Sequence, residues 1–564
     1  MSPQRRGRRW LPFLEWPGPA RTPWRTEVSA GLTVGLLMVP QAVAYAALAG
    51  MPLVTGLYAA LLPALVGVMW GASTRLSVGP TALTCLLVAA SLTGMAEPGS
   101  ARWVDLAVWL ALMSGLLQLA LGLGGFGWLL NIISTPVLMG FTQAAALLII
   151  ASQLPALLGL KGSLSSLLTQ PQFEAGAAAF GLLSLALLLL ARQRWPRLPI
   201  IMIVVAGAAA ISALLGFAAQ GGAVIGKLPA GLPAPHLPGW PGLDTLATLV
   251  VPAMVISLVS FLETASSARA ESQSDGRRWD DNQDLIGQGL AKLAAAASGA
   301  FAVSSSFSRS AINLYAGART GWATVVTVAF VLGSLLFLTP VLFHVPRAVL
   351  ASVVVVAVVN LVRPSAFRQL ARMAPVEAVT AGVTFAVTLL TAPRIYWGVL
   401  AGVLMGLSHF LHHRLHPRII EVGRHPDGSL RDRHLWHLPP LAPRLYALRM
   451  DADLDFAAAR DFERAIVEHL AAHPDVRHVC LFAQPINRID ATGVETFGQL
   501  RRQLAARAVS LHISGIKLPV ETVLRNAGEL PEGPHLTLYR TDTDTLAALA
   551  LLQEDPDDIA AATI

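Results

Sequence analysis

Glu263 is the residue whose surroundings most demand a chemical role. It stands in VPAMVISLVSFLETASSARA, deep in an apolar run. An acid within a membrane span costs roughly 2.5–3.5 kcal/mol on insertion scales and marks a functional site by default. Such a carboxyl can carry a proton; the alternative is a position near the cytoplasmic end, where it meets water or an arginine. Arg309, in SSSFSRSAINLY, can supply positive charge beside an anion. Its alternative is a snorkelling arginine at a helix end. Each is the other's natural partner in an empty site. Gln41 and Tyr45 lie in MVPQAVAYAALAG, where Pro40 is expected to break the first apolar span. At i and i+4 they share a helix face. Both can donate hydrogen bonds to an oxyanion, and both also suit helix packing.

Two short segments carry the backbone counterpart of this chemistry. One begins RLSVGPTALTCLL (75–87), the other is approached by GAFAVSSSFSRSAINLYAGART (299–320). Gly, Pro and Ser in an apolar domain imply a few non-helical residues whose polar groups need partners. Helices starting there, near Thr81 and Ser308, would aim free N–H groups at one place. A helix N-terminus carries about half a positive charge, so two facing ends form an anion site. Short, interrupted segments at matching positions in two halves point to a transporter site. Ordinary kinks are the alternative. No sequence repeat is visible between the halves, so the repeat rests on order along the chain.

The elements that must hold these residues are legible in composition. Of 564 residues, 54% are hydrophobic and 13% charged, with a mean hydropathy of +0.58. Soluble domains average about 25% charged residues. A large membrane part is implied, and extended disorder is excluded. Two cysteines, Cys85 and Cys480, exclude a disulfide framework and a Cys-rich metal site. Fourteen apolar segments recur: 28–49, 53–71, 79–93, 103–124, 129–152, 176–191, 199–218, 246–266, 285–301, 308–317, 321–342, 346–361, 375–391 and 394–412. The third and tenth are the short ones, matching ordinals in two sets of seven.

Charge sets the topology. The net charge of +7 divides into +13 over residues 1–420 and −6 over 421–564. The bases sit at the ends of apolar segments, so nucleic-acid binding is not the reading; the positive-inside rule is. With the N-terminus inside, inner loops and tails up to Arg418 hold 19 Lys/Arg and outer loops five. Arg192, Arg194, Arg197, Arg269, Arg277, Arg278, Arg363, Arg368 and Arg372 belong to the inner set. An even span count with both termini cytoplasmic follows. Residues 1–27 form a basic cytoplasmic arm, with Trp10, Phe13 and Trp16 expected at the bilayer interface. Its RR before WLPFL lacks the apolar region and cleavage site of a twin-arginine signal.

The chain changes character after the membrane part, 28–413. Residues 414–443 are polar and Pro-rich and read as a linker. From 444 to 555, strands and amphipathic helices alternate. The expected strands are 444–450, 476–483, 509–516 and 536–540; the helices are 456–473, 492–508, 520–528 and 545–554. A small α/β domain is implied, followed by a tail, 556–564. No phosphate loop, catalytic triad or metal-ligand spacing occurs in it.

The run VPQAVAYAALAGMPLVTGLYAALLPALV followed by STRLSVGPTAL resembles the signature region of the SulP (sulfate permease) anion transporters. The likeness continues through FLETASSARAESQSDGRRWDDNQDLIGQGLAKLAAAASGAF and SSSFSRSAINLYAGART. The module with IDATGV at 489–494 resembles a STAS domain. Together these cover about residues 26–550. The resemblance implies an α-helical membrane protein with a 7+7 inverted repeat, a core moving against a gate as an elevator, then a cytoplasmic STAS domain. It implies an anion site lined by Gln41 and Tyr45, by Val78, Gly79, Pro80, Thr81 and Ala82, and by Phe307, Ser308 and Arg309. Glu263 falls at the acid position tied to proton coupling in sulfate-type members; sodium coupling is disfavoured.

Two departures stand out. AFAVSSSFSRS replaces a Gly- and Pro-containing FPVTGSFSRS-like run. In the STAS loop, Asp490 is followed by Ala491, Thr492 and Gly493 rather than by a phosphorylatable Ser, so Asp490 and Thr492 read as helix caps. The expected function is proton-coupled import of sulfate or a related small oxyanion. Uncoupled exchange, bicarbonate, chloride or C4-dicarboxylate transport, and a non-transporting scaffold displaying the STAS domain are the alternatives. No enzyme and no bound cofactor or metal are expected. The expected partners are the anion and the bilayer of the cell membrane; the resemblance adds a second copy in a homodimer and cytoplasmic partners of the STAS domain.

Overall fold

The computed structural model describes residues 11–160, 173–195, 199–229, 231–276, 278–531, 533 and 535–551. Expectations for Trp10, Arg197, Arg277, the Arg192 side chain and the tail 556–564 lie outside the described residues. The chain divides into two compact units, Met1–Gly406 and Leu407–Ile564.

The first unit is helical. Its elements are α1 (Trp24–Leu48), α2 (Val54–Ala59), α3 (Leu62–Trp70), β1 (Val78–Gly79), α4 (Ala82–Leu92), α5 (Ala101–Leu123), α6 (Thr135–Leu157), α7 (Ala175–Arg194), α8 (Ile200–Leu214), α9 (Leu243–Asp275) and α10 (Asp281–Ala297). There follow β2 (Ser304–Ser305), α11 (Phe307–Tyr315), α12 (Trp322–Gly333), a π-helical turn at Ser334–Leu338, α13 (Thr339–Phe343), α14 (Arg347–Val358), α15 (Pro364–Met373), α16 (Pro375–Leu390) and the start of α17 (Tyr396–Leu415), within which the unit ends at Gly406. Every apolar segment of the sequence coincides with helix. Among the described residues, six helical stretches are long and apolar enough to cross a bilayer, and five more are shorter but apolar. Leu183, Leu190, Leu214, Phe337, Leu390 and Leu404 are exposed, as lipid-facing side chains would be.

Local chemistry sets the helix ends. Ser100 accepts from the Trp103 amide at the start of α5, and Asp280 from the Gln283 amide at the start of α10. The long α9 stops at Gly276, whose φ of +63° gives the left-handed cap that glycine adopts without strain. Small residues then let backbones close up. A β-carbon on Gly289 would lie 2.7 Å from the Leu119 amide nitrogen, and one on Gly287 2.7 Å from Gly71 Cα. Helix α10 is therefore pressed against α5 and against the turn after α3, the mode of helix contact that membranes favour.

Three expectations for this unit are corrected. Pro40 does not break the first span: α1 runs through it. It removes one hydrogen bond, to Leu36, and burial of α1 on most sides holds the helix. Segment 53–71 is two helices, separated at Ala60–Leu61 before Pro63. Residues 364–373, read as loop, form the surface helix α15, which displays Arg368 and Arg372 and buries no residue. The arm's Phe13 and Trp16 pack on Trp70 and Trp322, with ring centroids 5.7 and 5.8 Å apart.

The second unit is a six-stranded sheet with helices. Its strands are β3 (Ile419–Arg424), β4 (Leu430–Asp432), β5 (Leu445–Met450), β6 (His478–Phe482), β7 (Ser510–Ser514) and β8 (Leu536–Tyr539). Its helices are α18 (Ala459–Ala472), α19 (Ala491–Ala506), α20 (Leu518–Asn526) and α21 (Asp542–Leu551). The order is β4-β3-β5-β6-β7-β8, parallel from β5 to β8 and antiparallel at β3 and β4. The stretch 414–443 is thus not a plain linker, because two of its segments extend the sheet. Ile420 and Val422 are buried while Glu421 binds Arg433 and His434, an alternation too short to stand out among prolines and charges.

Candidate functional site

The two helix breaks meet. Strands β1 and β2 pair antiparallel, Val78 opposite Ser305 and Gly79 opposite Ser304. This crossing brings together the N-termini of α4 and α11. Thr81 caps α4, its oxygen accepting from the Thr84 amide; Ser306 caps α11, accepting from the Arg309 amide. The second helix starts at Phe307, one residue ahead of the expected Ser308. Buried polar groups brace the crossing. The Ser306 amide donates to the Ser77 carbonyl at 3.0 Å, the Ser77 amide to Ser310 Oγ at 2.9 Å, and Gln288 Nε2 to Ser305 Oγ at 2.9 Å.

Arg309 fills the space between the two ends, with 1% of its surface exposed. Its Nη2 donates to the Pro80 carbonyl at 3.0 Å, Nε to Ser77 Oγ at 3.2 Å and Nη1 to Gln41 Oε1 at 3.4 Å. One guanidinium thereby joins α1, the strand before α4, and α11. Tyr45, one turn beyond Gln41, is buried and within electrostatic range of Arg309. Gly79 leaves room for this arrangement: a β-carbon there would lie 2.5 Å from Met38 Cε and 3.5 Å from Arg309 Nη2. Ala82 is the first residue of α4 and is buried. Phe307 and Ser308 differ, since both are exposed, and Ser308 Oγ lies 3.3 Å from Ser306 Oγ.

Glu263 reaches the same helix end from α9. Its Oε2 accepts from Thr81 Oγ1 at 2.9 Å and lies 3.5 Å from Thr84 Oγ1. The two threonine oxygens are 2.5 Å apart. The expected Glu263–Arg309 ion pair does not form; no ion pair joins them among the described residues. Arg309 directs its hydrogen bonds at Pro80, Ser77 and Gln41 instead, and the Thr81 and Thr84 hydroxyls donate to the carboxylate.

Several residues at this place escaped the sequence reading. Lys292 on α10 has none of its surface exposed, and its Nζ donates to Gln118 Oε1 at 2.8 Å. Its signal was available, as the lone base inside LIGQGLAKLAAAASGA. Others act on the loop ahead of β1. Glu271 accepts from the Thr74 and Arg75 amides at 3.1 and 3.3 Å, and Arg75 pairs with both Glu271 and Asp275. Asp284 accepts from the Ala72 amide at 2.7 Å, Ser73 Oγ at 2.6 Å and Trp279 Nε1 at 2.7 Å. These carboxylates act as clamps that fix where β1 begins. A separate polar cavity of about 700 Å³ lies beside them, lined among others by Glu15, Glu271, Asp275, Arg278 and Arg319.

In the second unit, Asp490 caps α19. Its Oδ1 accepts from the Gly493 amide at 2.8 Å and its Oδ2 from the Phe456 amide at 2.9 Å. Gly493 is needed because a β-carbon would run into the Leu454 carbonyl. Thr492 is exposed and, among the described residues, accepts no helix amide, contrary to expectation; the cap of this helix is Asp490. In the sheet, His512 lies between His478, at 3.2 Å, and Tyr539, at 3.3 Å. Burial, then the neighbouring His478, push the His512 imidazole down to about 4.

Comparison with known proteins agrees with this architecture. The family model described as Sulfate permease family matches residues 24–384, and the STAS domain model matches residues 440–541. A probable sulfate transporter of Mycobacterium tuberculosis is 32% identical over 90% of this chain and 92% of its own length. Probable sulfate transporter 4.2 of Arabidopsis thaliana is 32% identical over 92% of this chain and 79% of its own. The sodium-independent sulfate anion transporter of Bos taurus is 29% identical over 92% and 88%. Among solved structures, the murine Slc26a9 anion transporter in the inward-facing state superposes with a TM-score of 0.85 at 20% identity, covering 97% of this chain and 95% of that one. The transmembrane domain of the cyanobacterial bicarbonate transporter BicA gives 0.58 at 20% identity, over 68% and 97%. At these identities the structures speak for the fold. The family match spans most of the helical unit, and on that ground the chain belongs to the sulfate permease family of membrane anion transporters, with a C-terminal STAS domain.

Proposed function

We propose that this protein is a secondary active transporter that imports sulfate, or a related small oxyanion, together with protons. The observation that carries the reading is the constellation around Thr81. Two capped helix N-termini converge, a buried Arg309 lies between them, and a carboxyl group hydrogen-bonds one of the caps. Amide dipoles and a guanidinium supply the charge complement for an oxyanion. Gln41, Tyr45 and Val78–Ala82 line the site from one side, and Phe307–Arg309 from the other.

Glu263 is the proton carrier. Ionised, it accepts the Thr81 hydroxyl; protonated, it gains an O–H of its own that needs an acceptor, and the Thr81 oxygen is within its reach. Thr81 sits at the end of α4 where the anion would bind, so protonation and anion binding share one side chain. Electrical work sets the need for coupling. Importing a dianion against ~100 mV, interior negative, costs about 4.6 kcal/mol, twice the ~2.3 kcal/mol per elementary charge. One co-transported proton offsets half of that, and each unit of pH gradient adds about 1.4 kcal/mol.

In this reading fourteen spans form two inverted sets of seven in the cytoplasmic membrane, with both termini inside. The unit carrying α4, α9, α10 and α11 moves as an elevator against the rest, within a homodimer whose STAS domains meet cytoplasmic partners. The test is uptake of radiolabelled anions into proteoliposomes with and without an inward proton gradient. Gradient-stimulated sulfate uptake is expected. Sulfate exchange indifferent to the gradient would favour the uncoupled exchanger, and uptake of bicarbonate or a C4-dicarboxylate alone would replace the substrate.

A further inference from the structure

Lys292 is a fully buried amine that the mechanism above does not use. Its ammonium contacts Gln118 Oε1 at 2.8 Å, and among the described residues this is its one hydrogen bond. Gln118 cannot turn away, because its Nε2 donates to the Ser257 carbonyl at 2.7 Å and to Ser260 Oγ at 3.0 Å. Ser260 precedes Glu263 by three residues, close to one turn of α9. Ser304 Oγ, at the β1–β2 crossing, donates to the Ser260 carbonyl at 2.9 Å. A chain of fixed groups thus anchors Lys292 behind the site, within charge–charge range of Glu263 but without an ion pair to it. A neutral amide leaves the ammonium's charge uncancelled, so the protonated form is held by negative charge that answers it elsewhere, on Glu263 or on the bound anion.

We infer that Lys292 sets the valence of the transported anion by giving the site a second fixed positive charge. With Arg309 and Lys292 both cationic, an ionised Glu263 leaves a site charge of one, matched to a monoanion. A protonated Glu263 leaves two, matched to a dianion. The other titratable groups within range of Glu263 and Arg309 are Tyr45 and Cys85, both neutral in either state. A dianion and a proton together therefore make the loaded site electrically neutral while it crosses the low-dielectric membrane. This rests on the transport reading above and specifies its substrate class.

The test compares counterflow of radiolabelled sulfate and of radiolabelled chlorate, a monovalent oxyanion, in proteoliposomes of the full chain. Counterflow needs no proton gradient. Lys292→Met is expected to lower the sulfate-to-chlorate ratio about tenfold or more, the size expected for one unit charge acting across roughly 10 Å at an effective dielectric constant near 20. It is also expected to make chlorate exchange require acid pH, because the site charge is then one only when Glu263 is protonated. In Lys292→Met/Glu263→Gln the charge is one at every pH, so chlorate exchange is expected to return and to lose its pH dependence. A packing role for Lys292 would not be repaired by a second, charge-removing change. An unchanged ratio in Lys292→Met, or loss of chlorate exchange that the double variant does not recover, overturns the inference. So do wild-type vesicles that exchange chlorate but not sulfate. Wild-type vesicles that exchange neither anion overturn the transport reading itself.

Discussion

The Thr81 hydroxyl donates to Glu263 at 2.9 Å while the same oxygen caps the amide of Thr84. One short side chain therefore ties a carboxyl on α9 to the first turn of α4. Thr81→Ala removes both bonds and is expected to cost the helix start about 1 kcal/mol. The proton-to-anion ratio in uptake is expected to fall, and Thr81→Ser to restore it. A ratio equal to wild type in Thr81→Ala would separate the cap from coupling.

Glu263→Gln keeps the size of the side chain and its ability to hydrogen-bond Thr81 but cannot release a proton. Uptake driven by a proton gradient is expected to vanish, with sulfate counterflow preserved. Gradient-driven uptake at the wild-type rate would remove Glu263 from the coupling step.

Arg309→Ala deletes three donors, to Pro80, Ser77 and Gln41, along with the charge. Hydrogen bonds to charged groups contribute roughly 1.5–3 kcal/mol each. Loss of one such contact to the anion predicts weaker binding by about tenfold to a hundredfold, read as the concentration of sulfate giving half-maximal exchange. Wild-type affinity in this variant would show that the guanidinium only braces the fold.

Asp490 holds the amides of Gly493 and Phe456, whereas Thr492 is exposed. Asp490→Ala is expected to destabilise the second unit by about 1–2 kcal/mol. Thr492→Ala is expected to change it by less than about 0.5 kcal/mol. Hydrogen exchange of the α19 amides in the full chain reads both.

His512 is held neutral in the folded sheet, pushed down to about 4, against about 6.5 in an unfolded chain. Between those values the unfolded state binds the extra proton, so stability rises with pH. The contribution is complete above about pH 6.5 and is lost as pH falls toward 4. Protection of the β6 and β7 amides, corrected for intrinsic exchange, is expected to drop from pH 7 to pH 5. His512→Leu is expected to flatten that dependence; an equal drop in the variant would place the titration elsewhere.

How much of this was legible beforehand follows from the range of each interaction. Apolar runs, Pro80 and the serines at 304–306 announce helices and their breaks, because desolvation and capping act over a few residues. Glu263 stands out for the same reason, being a charge whose cost depends on its immediate sequence. The alternating strands and helices of the second unit were readable from periodicity, whereas β3 and β4 were not. Their pairing with β5 depends on a neighbour supplied by the fold.

The amino-acid order alone therefore marked the two breaks, near Thr81 and Ser308, and a costly acid, Glu263, inside an apolar run. Only the tertiary structure decided that β1 and β2 cross, that Arg309 faces Gln41 and Pro80 rather than Glu263, and that Lys292 is buried on Gln118. Those outcomes join residues far apart in the chain. Which acceptor a buried cation finds is set by the helices packed around it, and no local pattern encodes that choice.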